Sequence, residues 1–184
     1  MRAALRRFGT AMPTPHRTHQ IATRNPVASG LGLLAFLGLT AGVAALGGRS
    51  ARPGLWYRAL EKPPFNPPDA VFPIVWSVLY GLIALSGWRV WRRRGRVGRG
   101  WALGLWGTQL GLNGLWSWLF FGQRRARASL ADVGLLLATI GAYTRAAERV
   151  DRPAAWMMTP YLGWTAFAAA LNEEIVRRNP RLAG

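Results

Sequence analysis

Three groups of side chains carry the chemistry open to this chain. Phe72, Trp76 and Tyr80 recur every four residues and so share one helix face. Gln109, Asn113 and Trp116 form a second group. Tyr161, Trp164, Ala168, Leu171 and Asn172 form a third, within about 100° of one another around a helix axis. Aromatic rings beside carboxamides make an apolar wall with a few hydrogen-bonding points, which suits holding an apolar molecule. Conventional catalysis has little to work with, because no acid–base pair, nucleophile or metal-ligating constellation stands near them. There is no cysteine, hence no disulfide, thiol nucleophile or thiolate metal site. The two histidines, His16 and His19, lie in the polar N-terminal segment, so neither a metal site nor a haem-ligating histidine is expected. Each group also has a purely structural reading. Trp and Tyr mark membrane interfaces, as Trp88, Trp91 and Trp101 do by position, and amides bridge neighbouring helices for about 0.6 kcal/mol. Trp76 and Trp164 fit an interface less well, and the indole N–H of Trp164 needs a partner that a polar cavity or a ligand would supply.

The elements that position these groups are visible as gaps in the charge. The chain has 24 Lys and Arg and a formal net charge of +17, yet five stretches are almost uncharged: Val27 to Gly48, Ala70 to Trp88, Gly100 to Gln123, Ala128 to Thr144 and Pro153 to Asn172. Each approaches the ~20 residues that a helix needs to cross a bilayer core, where only a helix satisfies its own backbone. Asp132 is the one formal charge within them. At roughly 2.5 to 3.5 kcal/mol per charge near mid-membrane, chance does not leave such gaps in an Arg-rich chain. The expected architecture is an all-α integral membrane bundle of five transmembrane helices, with spans near 27–48, 70–91, 100–122, 129–147 and 153–175. Residues 1–25 read as a disordered basic tail, 26–176 as the membrane domain and 177–184 as a basic C-terminal tail. The mean hydropathy of +0.09 averages apolar spans with arginine clusters and hides this pattern.

Those clusters, Arg89 to Arg99, Arg124 to Arg127 and Arg177 to Arg181, sit beside span ends, where anionic lipid headgroups neutralise them. The lipid membrane is therefore the expected partner of the positive charge, and no nucleic acid is expected. Basic residues divide too evenly between the two sides to fix orientation.

Between the first two spans, Pro63, Pro64, Pro67 and Pro68 exclude a helix over Lys62 to Pro68 and predict a stiff strap, either a lid or a simple return into the bilayer. Just before it, Trp56 and Leu60 share a side suited to lying on the bundle mouth. Asp69 is a plausible N-cap for the second span, and Ser129 with Asp132 matches a capping box at the start of the fourth. Pro160 is expected to kink the fifth span and open space beside it. Gly100, Gly104, Gly107, Gly111 and Gly114 form a seam on the third span, opposite Gln109, Asn113 and Trp116. That seam permits tight packing within the bundle or a homodimer contact through Gly100, Gly104, Gly107 and Gly111.

At WYRALEKPPFNPP, QLGLNGLWSWLFFG and PYLGWTAFAAALN the chain closely resembles the translocator protein family, also called the tryptophan-rich sensory protein or peripheral-type benzodiazepine receptor family. The resemblance runs over about residues 28–175. It implies a five-helix membrane protein, often a homodimer, that binds porphyrins, cholesterol or synthetic ligands beneath the first loop. In bacteria it implies a role in tetrapyrrole handling and stress regulation, in a bacterial membrane, with porphyrin as ligand and no resident cofactor. It further implies that Tyr57, Trp76, Asn113, Trp116, Trp164, Ala168 and Asn172 occupy pocket positions, to which Pro63, Phe72 and Gln109 are added from their placement. Light-dependent porphyrin breakdown, reported for some members, would make Trp76 and Trp164 the candidate redox residues. The chain departs from animal members at Ala128, where they carry a tryptophan, and at Glu173 and Glu174, which replace the tyrosine of the cholesterol motif. The first departure counts against drug-like affinity and the second against sterol binding through that motif.

Overall fold

The computed structural model describes residues 26–50 and 55–182, and every regular element among the described residues is helical. The elements are α1 (Pro26–Ser50), α2 (Leu55–Ala59), α3 (Val71–Arg92), α4 (Arg99–Ser117) continued by a π-helical turn (Trp118–Gly122), α5 (Ala126–Val150), α6 (Arg152–Trp156) and α7 (Thr159–Arg178). The expected basic segment 1–25, with His16 and His19, lies outside the described residues. Pro26–Arg49 and Val71–Arg92 are long and apolar enough to cross a bilayer by length and composition. The longer helices after α3 carry buried amides, hydroxyls and terminal charges that lower their average.

Apolar side chains stand on the outside of the bundle as well as in its core. Leu31 (63% exposed), Leu34 (65%) and Ile74 (67%) point outward, while Gln109, Asn113, Ser86, Thr165 and Asn172 are buried. Large apolar side chains exposed at this level suit hydrocarbon better than water.

Helix α5 packs along both α4 and α7, and α1 packs along α3 and α4. Helices α3 and α7 barely touch, which leaves a gap on that side of the bundle. The end of the molecule where α3 finishes is closed. There the indole of Trp106 lies across Gly87, where an added Cβ would meet it at 2.5 Å, and its N–H donates to the carbonyl of Ile83 at 2.9 Å. The Ser86 hydroxyl donates to the Ala154 carbonyl at 2.7 Å, so Tyr143 donates its O–H to Ser86, also at 2.7 Å. Asp151 caps α6 by accepting from the Ala154 N–H at 3.0 Å, and it accepts from Arg89 at 3.0 Å and from Arg93. Burial pushes the Asp151 carboxyl up, but the hydrogen bonds from Arg93, Arg89 and Ala154 outweigh it and hold the group below the usual carboxylate range.

Three local expectations are corrected, and one of the two readings of the glycine seam is removed. Helix α5 begins at Ala126, so Ser129 sits inside the first turn and turns its hydroxyl to the Asn172 side chain instead of forming a capping box with Asp132. Asp69 does not cap α3; Ala70 precedes the helix without a side-chain cap, and the Val71 N–H donates to the Pro68 carbonyl at 2.9 Å. Pro160 marks a break rather than a kink: α6 ends at Trp156, and Pro160 sits in the first turn of α7, where its missing N–H costs nothing. The seam of Gly100, Gly104, Gly107 and Gly111 does not pack inside the bundle, since a Cβ at any of them meets nothing within 4 Å. Gly114 alone of that series meets a neighbour, Val43 at 3.3 Å.

Candidate ligand cavity

The strap after α2 is not helical, as its prolines require, and it is fastened at its start. The Asn179 side chain accepts from the Glu61 N–H at 2.9 Å and donates to the Glu61 carbonyl at 2.9 Å, so one amide holds both backbone groups. Arg178 pairs with the Glu61 carboxylate at 3.2 Å, and the Trp56 indole donates to the Leu182 carbonyl at 3.2 Å. Further along, the Asn66 N–H closes a turn on Pro63, and Phe65 packs edge-on to Phe167. Pro63 is buried within this strap and does not reach the space below it. Helix α2 lies against the bundle with Tyr57 and Leu60 buried, whereas Trp56, which the spacing paired with Leu60, is only half-buried and packs edge-on to Phe120 at 5.6 Å.

Below the strap is a cavity of about 490 Å³, within the range of small-molecule sites. Helix α3 supplies Phe72, Trp76 and Tyr80, and α7 supplies Trp164, Ala168, Leu171 and Asn172. Trp116, Phe120 and Phe121 come from the end of α4 and its π-helical turn, and Tyr57 closes the top. Trp116 stacks on Phe120 at 5.5 Å, and Tyr57 packs against Phe121 at 5.6 Å. Two consecutive phenylalanines thus serve one wall where the turn widens. The Ala44, Gly47 and Gly48 end of α1 completes the lining with small residues.

Charge is confined to the mouth. Asp69 borders the cavity, and the Lys62 ammonium sits over the Tyr57 ring at 4.5 Å. Burial, with the nearby Asp69 charge adding to it, pushes the Tyr57 phenol above its ordinary value, so it stays a neutral hydrogen-bonding group.

The carboxamides divide into three situations. Asn172 lines the cavity while tying α7 to α5: its nitrogen donates to the Ala126 carbonyl at 3.1 Å, and its oxygen accepts from Ser129 at 2.9 Å and Leu130 at 3.1 Å. Asn113 lies beneath the wall, where it accepts from the Tyr80 hydroxyl at 2.7 Å and donates to the Tyr161 hydroxyl at 3.1 Å. It therefore holds two rings in place and does not line the cavity. Gln109 is fully buried away from the cavity, donates to the Trp106 carbonyl at 3.0 Å and leaves its own oxygen without a partner. The Trp164 N–H is buried and also lacks a partner within the protein.

Residues 33–178 match the family described as the TspO/MBR family. The chain belongs to the TspO/MBR family. Among relatives, it is 38% identical over 138 residues to the tryptophan-rich sensory protein of Cereibacter sphaeroides, covering 75% of this chain and 85% of that protein. It is 36% identical over 126 residues to the translocator protein of Bos taurus, covering 67% and 75%. Against the translocator protein of Homo sapiens it is 35% identical over 154 residues, covering 83% and 89%. TspO/MBR proteins are membrane proteins, which agrees with the large apolar side chains exposed on this bundle. The match ends at Arg178, so it includes the strap and stops one residue before Asn179, which fastens it.

Several contributors were not apparent from sequence. Phe120 and Phe121 lie in the quoted FFG run, but helical spacing would have sent them to different faces. Asn179 ahead of Pro180 signals a helix end, whereas its partner, 118 residues away, has no local signature.

Proposed function

We propose that this TspO/MBR protein spans the membrane five times and binds porphyrins or related tetrapyrroles in the cavity beneath the first loop, in a regulatory or sensory role. The cavity itself carries this reading. It offers about 490 Å³ walled by three indoles and three phenylalanines, with its charged groups restricted to the mouth. A flat apolar macrocycle gains by lying against Trp76, Trp116 and Trp164, and its acidic edge gains by staying near Lys62 and Arg58. Asp69 at the same mouth disfavours burying that acidic edge any deeper. The names of the relatives, sensory and translocator, support a role coupled to occupancy. Titrating protoporphyrin into the detergent-solubilised protein tests the reading through intrinsic tryptophan fluorescence. Saturable quenching that weakens in Trp164→Ala is expected, and quenching indifferent to that change argues against the cavity as the site.

The open stripe of Gly100, Gly104, Gly107 and Gly111 supports a homodimer, since two copies could bring backbones close there. Gly104→Leu should leave the monomer folded and shift the mass in detergent to that of one chain; an unchanged mass would dismiss this interface.

A second reading is light-dependent oxidation of the bound macrocycle by dioxygen, with Trp76 and Trp164 as redox partners. It is favoured by the placement of the Trp76 ring in the wall, 5.4 Å from Tyr80 and 6.1 Å from Tyr161. Product that forms under light and disappears in Trp76→Phe supports it, and equal bleaching without protein removes it.

A further inference from the structure

The gap between α3 and α7 is more than a packing defect. On its outer side is a groove of about 420 Å³ lined by Ile74, Val75, Val78, Pro160, Gly163 and Phe167, with no charged residue. Ile74 and Val78 are 67% and 60% exposed, so this groove faces whatever surrounds the bundle, and the surroundings of a membrane helix are acyl chains. Trp164 borders both spaces, the outer groove and the inner cavity. Trp164 therefore stands in the wall between the cavity and the outer groove.

That side chain is loosely held. Its N–H has no hydrogen-bond partner, and its ring contacts are with Phe72 at 5.9 Å and Phe167 at 5.3 Å, neither of them polar. Next to it, Gly163 leaves open space in which a Cβ would meet nothing within 4 Å. The other way in is held more firmly, because the strap is pinned by both backbone bonds of Glu61 to Asn179 and by the Arg178 ion pair.

We propose that the α3–α7 groove is a lateral portal to the cavity, through which an apolar ligand already dissolved in the bilayer enters and leaves when the Trp164 indole swings aside. The proposal rests on the cavity being the ligand site, and it adds the class of ligand: one that partitions into lipid and arrives from there. Its apolar body crosses between the helices, and any acidic edge trails toward the interface near the strap.

A portal alters rates without altering the end state, which separates it from a binding residue. The test uses the full chain in phosphatidylcholine nanodiscs, with protoporphyrin association and dissociation followed by stopped-flow tryptophan quenching. Val78→Phe and Gly163→Leu fill the groove from outward, open positions where neither should disturb folding. Both should slow association and dissociation together by about tenfold and leave Kd within about twofold of the parent. Asn179→Ala, which frees the strap, should leave the association rate unchanged. Parent-like rates in both groove variants would overturn the portal, as would faster uptake in Asn179→Ala alongside them. If the parent chain shows no saturable quenching, the ligand-binding reading falls first and takes the portal with it.

Discussion

Where α3 ends and α5 turns into α6, Asp151 gathers Arg89, Arg93 and the Ala154 N–H, Tyr143 donates to Ser86, and Ser86 donates to Ala154. Every polar group named there has a partner, and Trp106 fills the volume over Gly87. At the other end, where α4 finishes and α5 begins, equally large side chains surround a cavity of about 490 Å³, and the Trp164 N–H in its wall has no hydrogen-bond partner. Both ends are rich in tryptophan and both bury polar atoms. The difference is completeness: a fully satisfied network fixes one packing, whereas an unpaired N–H beside a void is a standing cost that a ligand or water can relieve. The closed end is packed and paired throughout, and the open end keeps a void.

The largest effect expected from breaking this contrast is at the closed end. Asp151→Ala should destabilise the protein by about 3 kcal/mol, the low end for breaking a buried pair, because Arg89 and Arg93 are partly exposed and can reach water. Thermal unfolding in detergent measures it, and ligand affinity should hardly change. Next comes the open end, where Trp164→Ala should weaken protoporphyrin binding by about ten- to thirtyfold, as expected for a buried aromatic anchor, with a smaller loss of melting temperature than Asp151→Ala. Gly87→Ala should cost about 1 to 3 kcal/mol through overpacking against Trp106 and Phe36, a loss visible in the same melts.

Acid sharpens the comparison. The Asp151 carboxyl titrates below its unfolded value of about 4, so its contribution is fully present above that pH and is lost as pH falls through the lower folded value. The melting temperature of the parent should therefore drop more steeply below about pH 4 than that of Asp151→Asn. The smallest effect is at Gly107, whose outward position accepts a methyl: Gly107→Ala should change monomer stability by less than about 1 kcal/mol, in the stabilising direction. A loss there as large as at Gly87 would mean that the stripe is packed after all.

Much of the fold was legible because it follows from exclusion. Charges are kept out of hydrocarbon, so gaps in an Arg-rich chain mark the long helices, and prolines forbid helix, so Lys62 to Pro68 had to be a strap. Periodicity likewise gathered Phe72, Trp76 and Tyr80, and Trp164 with Ala168 and Asn172, on the walls of one cavity. Gln109 and Asn113 show where periodicity stops. They share a helical face with Trp116, but one is packed among helices and the other is claimed by two tyrosines. Ser129 and Asp132 resembled a helix start because the motif is read without knowing that the helix can begin earlier, at Ala126.

The sequence by itself determined what must avoid what: which long segments stay free of charge, which cannot be helical, and which rings share a face, since these are local properties of side chains and backbone. Tertiary structure alone decided the pairings. Gly87 and Gly107 are the same residue in apolar helices, yet one is covered by an indole and the other is bare, because only the approach of a second helix distinguishes them. Asn179 fastens Glu61 across 118 residues for the same reason: a hydrogen bond depends on a few tenths of an ångström in space and leaves no trace in spacing along the chain.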